Sequence, residues 1–213
     1  MKHITFYFDV ISPYAYLAFE KLPHALMGIS YSVTYKPVVF GAILKHFGQL
    51  GPAEISPKRT WTYRQVAWLA KEQGTQLHMP TSHPFNPISL LRLAIACGER
   101  GQCHRFVAQT LFDFVWKDGL EAADPQRLAT LVASLKPRRS LDDVQVKSEL
   151  KANTDAAIEQ GIFGVPMMEV DQQLFWGGDA MPLLRAYLQE DVWFECPAWT
   201  HASQTEVGTT RRR

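Results

Sequence analysis

The sequence predicts an α/β domain whose strands lie at the two ends of the chain and whose middle is helical. Three observations support this. About the first 40 residues have the pattern strand, helix, strand, and the residues after Gly161 have the pattern strand, strand, helix. Between them, about 100 residues carry apolar side chains at helical spacing. With 213 residues and 46% hydrophobic side chains, the chain suits one domain that holds an inserted subdomain.

The first elements follow from local signals. Ile4–Val10 are rich in β-branched and aromatic residues and predict a strand. The pair Ser12-Pro13 is a helix-start signal after that strand, and Pro23 is expected to kink this helix or end it early. The stretch Ser30–Val39 predicts a second strand. Glycines and prolines predict irregular loops over Gly41–Pro57.

Five helices are predicted in the middle of the chain from apolar periodicity and helix-start signals. They are Thr62–Gln73, Pro87–Glu99, Gln102–Trp116 with Phe106 and Leu111 on its apolar stripe, one that begins at Pro125, and Ser140–Gln160. Two short strands, Val165–Val170 and Gln173–Trp176, and a helix over Ala180–Gln189 complete the pattern.

This order of elements is that of a thioredoxin-like domain of α/β class with an all-helical subdomain inserted at its middle. We expect residues 1–40 and 161–192 to form the thioredoxin-like domain. Residues 41–160 form the helical insertion, including pocket loops. The sequence turns polar near its end, so residues 193–213 are expected to form a loose C-terminal tail.

Charge and cysteine content exclude several classes of partner. The 22 Lys and Arg residues balance 21 Asp and Glu residues to a net charge of +1, so there is no general electrostatic reason to bind nucleic acid or a membrane. Cys97, Cys103 and Cys196 are an odd, widely spaced set that fits neither a disulfide framework nor a zinc site, and we expect no metal. Since neither a secretory leader pattern nor a run of about 18 apolar residues occurs, we expect a cytoplasmic protein.

The first candidate for chemistry is the turn from Phe8 to Tyr14. In a thioredoxin-like fold a redox cysteine pair would lie here, but Ser12 stands at its first position, which excludes dithiol chemistry. A hydroxyl at a helix N-terminus lies beside free N–H groups and can hydrogen-bond a thiolate that a ligand brings. The alternative is that Ser12 only caps the helix.

Two further segments would meet this turn at one edge of the sheet. In Phe163-Gly164-Val165-Pro166, a cis peptide before the proline would turn the Val165 backbone toward a ligand, although most X-Pro bonds are trans. In Trp176-Gly177-Gly178-Asp179, the glycines allow close backbone approach, and Asp179 can either cap the last helix or accept a hydrogen bond from an ammonium group. Their joint occurrence with Ser12 favours a binding site.

Three motifs, Phe-x-Phe-Asp-x-x-Ser-Pro-Tyr (6–14), Phe-Gly-Val-Pro (163–166) and Trp-Gly-x-Asp (176–179), resemble those of 2-hydroxychromene-2-carboxylate isomerases. These enzymes are relatives of kappa-class glutathione transferases within the DsbA-like thioredoxin superfamily. The resemblance covers roughly residues 4–190 and implies glutathione as cofactor and a homodimer.

The resemblance also implies roles for single residues. Ser12 would hydrogen-bond the glutathione sulfur and stabilise its thiolate, whose reversible addition would interconvert the chromene carboxylate and trans-o-hydroxybenzylidenepyruvate during aromatic catabolism. Val165 and Pro166 would clamp the glutathione backbone. The γ-glutamyl end would lie in the loop formed by Trp176, Gly177, Gly178 and Asp179.

On the substrate side, Lys45 matches a family lysine that meets the substrate carboxylate, and its alternative is an exposed helix lysine. Glu54 stands close to a substrate-binding asparagine of the isomerase, a departure that is unfavourable for an anionic substrate. His83, in the rigid loop His83-Pro84-Phe85-Asn86-Pro87, falls roughly where the isomerase has a substrate-contacting tyrosine. Trp61, Trp68 and Trp116 either line an aromatic pocket or belong to the core.

Two other functions stay open at this point. One is a kappa-like glutathione transferase that accepts other electrophiles, which Glu54 suits better. The other is a non-catalytic thioredoxin-like module that binds peptides along the edge beside Pro166. The loop from Trp176 to Asp179 argues against the second, because such a module has no evident need of it.

Overall fold

The computed structural model describes residues 1–209, and residues 210–213 of the predicted tail lie outside the described part. Four strands are present among these residues: β1 (Lys2–Phe8), β2 (Tyr31–Pro37), β3 (Met167–Val170) and β4 (Gln173–Trp176). The helices are α1 (Pro13–Ala25), α2 (Phe40–His46), α3 (Ser56–Gln73), α4 (Ile88–Cys97), α5 (Arg105–Trp116), α6 (Pro125–Leu135), α7 (Val144–Glu159), α8 (Met181–Leu188) and α9 (Pro197–Ala202).

The strands form one mixed sheet in the order β2-β1-β3-β4, which confirms the predicted thioredoxin-like α/β fold. β1 runs parallel to β2 and antiparallel to β3, and β3 and β4 are antiparallel neighbours. The carboxyl end of β1, the start of α1 and the start of β3 therefore meet at one edge. This edge carries all three sequence motifs.

The main core lies between the sheet and the helices. β1 and α1 contribute Phe6, Phe8 and Phe19, and α5 contributes Phe112, all fully buried. Their rings contact one another at centroid distances of 5.1–6.5 Å, the range in which tilted and edge-to-face aromatic pairs are favourable. α1, which begins directly after Ser12, is thus attached to an aromatic part of the core through Phe19.

The prediction of irregular loops over Gly41–Pro57 is wrong. The segment contains α2, a 3₁₀ turn over Pro52–Glu54 and the start of α3. Ile43 and Leu44 of α2 are buried, and the first N–H of α2 donates to the carboxylate of Asp9, 31 residues earlier. A helix that is stabilised by such a distant contact leaves no local capping signal in the sequence.

Smaller differences concern aromatic residues. Phe106, predicted on the apolar stripe of its helix, is 72% exposed, and the buried stripe of α5 is formed by Val107, Leu111 and Val115. Trp116 is fully buried in the core, whereas Trp61 and Trp68 are exposed on α3. The three tryptophans therefore do not form one pocket lining.

The segment predicted as a loose tail begins with ordered turns. A 3₁₀ turn over Val192–Glu195 and α9 follow the last core helix. Phe194 packs edge-on against Tyr187 of α8 at 5.1 Å, and Trp199 packs on Phe194 at the same distance. Aromatic contacts without aliphatic periodicity are the reason that the sequence pattern missed this extension. None of the helices among residues 1–209 is long and apolar enough to cross a bilayer.

Candidate functional site

Ser12 lies at the N-terminus of α1, as the sequence predicts. It is the N-cap residue, and its Oγ accepts a hydrogen bond from the Ala15 N–H at 3.2 Å. The same hydroxyl donates to the carbonyl oxygen of Val165 at 3.4 Å, at the long end of hydrogen-bonding distances. Ser12 is 6% exposed. Because a hydroxyl proton rotates freely, it can turn from this weak acceptor to a better one such as a thiolate.

A buried carboxylate holds the turn that precedes Ser12. Asp9 is fully buried, its Oδ1 accepts from the Ile11 N–H at 3.0 Å, and its Oδ2 accepts from the Phe40 N–H at 2.9 Å. Burial raises the pKa of Asp9 to about 7, although these two backbone hydrogen bonds favour the charged form. Asp9 thus joins the Ser12 turn to the start of α2.

The helical insertion holds the same turn from the other side. Trp116 Nε1 donates to the carbonyl oxygen of Val10 at 2.9 Å, and His83 Nε2 lies 2.8 Å from the carbonyl oxygen of Ile11. Burial lowers the pKa of His83. The two residues immediately before Ser12, Val10 and Ile11, therefore each have a backbone group that is fixed by a side chain.

The second motif borders Ser12 directly. The Val165-Pro166 peptide bond is cis, which confirms the prediction. The carbonyl oxygen of Pro166 accepts from the Gly177 N–H at 3.0 Å, while the N–H of Val165 has no backbone partner among residues 1–209. One peptide segment thus contacts both Ser12 and the third motif.

The third motif forms an open loop between β4 and α8. Trp176 is 56% exposed and packs edge-on against Phe163 at 4.9 Å. Its indole lies so close to Gly164 that a Cβ there would stand 2.9 Å from Nε1, so a side chain at this position would displace the indole. Gly177 has φ +85°, a backbone conformation that favours glycine, and a Cβ there would collide with the Asp179 carboxylate.

The three motifs therefore meet, as predicted. Ser12 contacts Val165, Pro166 contacts Gly177, and Gly178 lies against Ala18 of α1, where an added Cβ would come within 3.6 Å of the alanine side chain. This arrangement fits a thiol-bearing peptide ligand. It provides a hydroxyl donor beside the positive end of a 13-residue helix, an unpaired backbone N–H and an exposed carboxylate on Asp179.

The three substrate-side candidates differ in their placement. Lys45 is exposed near the end of α2 and forms no ion pair with the residues that the structure describes. Glu54 folds back on its own turn, where its Oε2 accepts from the Gly51 N–H at 2.5 Å. His83 lies beside the Ser12 turn, but both of its ring nitrogens are hydrogen-bonded within the protein.

Asp9, Trp116 and His83 hold the turn before Ser12, a role that the sequence analysis did not assign to any of them. Asp9 gave one signal, a carboxylate inside the apolar run from Phe8 to Val10. The bonds of Trp116 and His83 span 106 and 72 residues and left no local pattern.

No cysteine among the described residues takes part in the site. All three thiols are free, and burial raises the pKa of the Cys103 thiol, which suits an inert core residue. Residues 1–209 also contain no group of three or more His, Cys, Asp or Glu side chains that is arranged to hold a metal ion.

The known proteins to which this chain is similar belong to the families whose motifs it resembles. A family model described as "DSBA-like thioredoxin domain" matches residues 3–189. The chain is 29% identical over 204 residues to a 2-hydroxychromene-2-carboxylate isomerase of Sphingobium xenophagum, which covers 88% of this chain and 98% of that protein. It is 26% identical over 208 residues to glutathione S-transferase kappa 2 of Caenorhabditis elegans, at 89% and 92% coverage.

A solved structure of a 2-hydroxychromene-2-carboxylate isomerase superposes with a TM-score of 0.76 and 21% identity, covering 96% of this chain and 100% of that one. This likeness shows the shared fold. The relatives are isomerases and glutathione transferases, which supports an enzyme.

Proposed function

This chain belongs to the DsbA-like thioredoxin family, and on that premise we propose that it is a glutathione-dependent isomerase of the 2-hydroxychromene-2-carboxylate type. One observation carries the proposal. The hydroxyl of Ser12 caps α1 and lies 3.4 Å from the carbonyl oxygen of Val165, beside the loop that holds Asp179. A serine in this position gives the site a hydrogen-bond donor for a sulfur that the ligand supplies.

The residues of the site have distinct tasks in this proposal. When bound, glutathione supplies a nucleophilic thiolate that can add reversibly to a conjugated carbonyl compound. Ser12 and the N-terminus of α1 favour the charged form of the thiol, whose ordinary pKa of about 8.5 would leave it mostly protonated at neutral pH. Val165 and Pro166 hold the ligand backbone, and Asp179 accepts a hydrogen bond from the γ-glutamyl ammonium group.

The substrate is a small aromatic carboxylate. Lys45 is exposed and free of an ion pair within residues 1–209, so its ammonium group is available to a carboxylate. α2, which carries Lys45, is joined to the Ser12 turn by the bond from Phe40 to Asp9 at 2.9 Å. This connection sets the position of the lysine relative to the thiol site.

A second candidate function is a glutathione transferase that accepts other electrophiles. Glu54 favours it, because the position near the substrate-binding asparagine of the isomerase holds a carboxylate here. That carboxylate is engaged by the Gly51 N–H, so it is part of the local turn and offers no donor to an anionic substrate. The two functions share the glutathione site and differ in the electrophile to which the thiolate adds.

Calorimetric titration tests the shared site. Glutathione is titrated at two pH values in buffers of different ionisation enthalpy, with S-methylglutathione as the matched ligand that has no thiol proton. We expect both ligands to bind and only glutathione to release a proton near neutral pH. If neither ligand bound, the isomerase and the transferase would both be excluded, and the peptide-binding module would take their place.

An assay of chromene isomerisation then separates the two enzymes. The proposal expects turnover of 2-hydroxychromene-2-carboxylate that requires glutathione without consuming it. Stoichiometric loss of the thiol with an electrophile, without isomerisation, would instead identify a transferase.

A further inference from the structure

The peptide group immediately before Ser12 is held from two sides. Its carbonyl oxygen, that of Ile11, lies 2.8 Å from Nε2 of His83, and its N–H, that of Ser12, donates to the carbonyl oxygen of Asp9 at 3.1 Å. The N–H of Ile11, which belongs to the preceding peptide group, donates to Asp9 Oδ1 at 3.0 Å. The His83 side chain and the backbone of Asp9 thus fix the plane of the peptide that leads into the first turn of α1. That plane sets the backbone of Ser12 and thereby the position from which its hydroxyl bonds Ala15 and Val165.

The hydrogen bond to Ile11 defines the proton on Nε2 of His83. A carbonyl oxygen only accepts, so Nε2 carries a proton. The Tyr63 hydroxyl lies 2.8 Å from Nδ1 and 2.9 Å from the carbonyl oxygen of His83, and in the neutral ring Nδ1 accepts from it. Burial favours this neutral form. The ring is also held by aromatic contacts with Trp116 and Phe85 at centroid distances of 5.5 and 6.1 Å. Neither ring nitrogen is left for a substrate.

We propose that His83 is a positioning residue for Ser12: its Nε2–H holds the Ile11 carbonyl and thereby the direction of the serine hydroxyl. This inference rests on the proposed function and deepens it. Tyr63, which belongs to α3, orients the imidazole in turn, so the helical insertion sets the geometry of the thiol site on the thioredoxin-like domain.

Two substitutions of His83 separate the positioning bond from polarity and burial. The amide nitrogen of His83→Gln reaches about as far as Nε2 and can donate to Ile11, whereas the shorter His83→Asn ends near the position of Nδ1 and cannot. Both variants stay neutral and polar. Tyr63→Phe removes the hydroxyl that orients the ring and leaves the ring in place.

The first measurement uses the protein without glutathione. The Ser12 N–H donates to the carbonyl oxygen of Asp9 at 3.1 Å, so its hydrogen exchange reports the order of the turn. We expect exchange at Ser12 to be about fivefold faster in His83→Asn and within about twofold of the native rate in His83→Gln, as the loss of one hydrogen bond predicts.

The second measurement uses the protein with glutathione. In His83→Asn we expect kcat to fall about tenfold and the pKa of the bound thiol to rise by about half a unit or more, while KM for glutathione stays within about twofold. His83→Gln restores most of kcat. Tyr63→Phe gives an intermediate loss.

The outcomes distinguish the two proposals. Suppose that the native protein binds glutathione with proton release. If His83→Asn and His83→Gln then have the same kcat, the same pKa of the bound thiol and the same hydrogen-exchange rate at Ser12, the positioning role of His83 is wrong and the proposed function stands. A native protein that does not bind glutathione contradicts the proposed function and the positioning role with it.

Discussion

The carboxylate of Asp9, which is fully buried, accepts a hydrogen bond from the Phe40 N–H at 2.9 Å. The second oxygen of the carboxylate accepts from Ile11. The carboxylate is therefore the link between the strand that ends beside Ser12 and α2, which carries Lys45. Two backbone donors offset only part of the cost of burying the charge, and the pKa of Asp9 rises to about 7.

This pKa predicts how stability depends on pH. In the unfolded chain Asp9 ionises near its ordinary value of about 3.9, so between that value and about pH 7 the folded state binds more protons than the unfolded state. The contribution to stability is present at low pH and is lost as pH rises to about 7. It amounts to roughly 4 kcal/mol over about three pKa units.

Asp9→Asn should remove this part of the pH dependence. Chemical denaturation at pH 4.5 and pH 8 measures the free energy of unfolding of both proteins. We expect the native protein to lose more stability than the variant between the two values. If both proteins lost the same unfolding free energy between pH 4.5 and pH 8, protonation of Asp9 would not contribute to the pH dependence of stability.

Ser12→Ala should impair chemistry more than folding. Loss of the hydroxyl removes the donor to the bound sulfur, so we expect the pKa of the bound thiol to rise by about one unit and kcat to fall at least about tenfold. The lost N-cap bond to Ala15 costs about 1 kcal/mol of stability. The measurements are the pH–rate profile and thermal unfolding.

Asp124→Ala is the matched control for Ser12→Ala. Asp124 caps α6 through the N–H groups of Gln126 and Arg127, each at 2.8 Å, and is not part of the site. We expect a similar loss of stability with kcat unchanged. An unchanged pH–rate profile in Ser12→Ala would exclude the role of the hydroxyl.

The parts of the site that the sequence predicts are those with local causes. Ser12 follows a strand and precedes a proline at the first helical position, and both signals lie within a few residues of it. The cis bond before Pro166 was expected from its place opposite the Ser12 turn in the fold, because most X-Pro bonds are trans, whereas the positive φ of Gly177 is again a property of a short segment. Such features require only the residue itself and its neighbours.

The parts that the sequence did not predict depend on contacts across the chain. α2 begins at a donor whose acceptor, Asp9, lies 31 residues earlier, and the hydrogen bond of His83 to Ile11 spans 72 residues. The apolar periodicity of α5 placed Phe106 inside, but the fold turns Val107 inward and leaves Phe106 exposed. Periodicity predicts how wide the apolar stripe of a helix is. Which residues at the margin of that stripe are buried depends on the elements that pack against the helix.

Lys45→Ala should weaken binding of a carboxylate substrate. The exposed ammonium group interacts with the substrate through solvent-screened charge, so we expect KM to rise by about three- to tenfold while kcat changes little. Lys45→Arg keeps the charge and should keep most of the affinity. Lys71→Ala, which removes an exposed charge from the last turn of α3, is the control for a loss of surface charge. If KM stayed unchanged in Lys45→Ala, the lysine would be a surface residue of α2.

Gly177→Ala tests the loop that is proposed to hold the γ-glutamyl end. A Cβ at this position would collide with the Asp179 carboxylate, so the methyl group must displace the proposed partner of the ligand ammonium. We expect KM for glutathione to rise by about tenfold or more and Asp179→Asn to have a similar effect. Gly28→Ala is the control, because Gly28 has the same φ of +85° and no atom within 4 Å of an added Cβ. It places a side chain at positive φ without a collision. Because Gly177 also has ψ 166°, a conformation essentially restricted to glycine, Asp179→Asn is the variant that tests the carboxylate without backbone strain. Equal KM values for glutathione in both alanine variants would show that Asp179 does not hold the ligand.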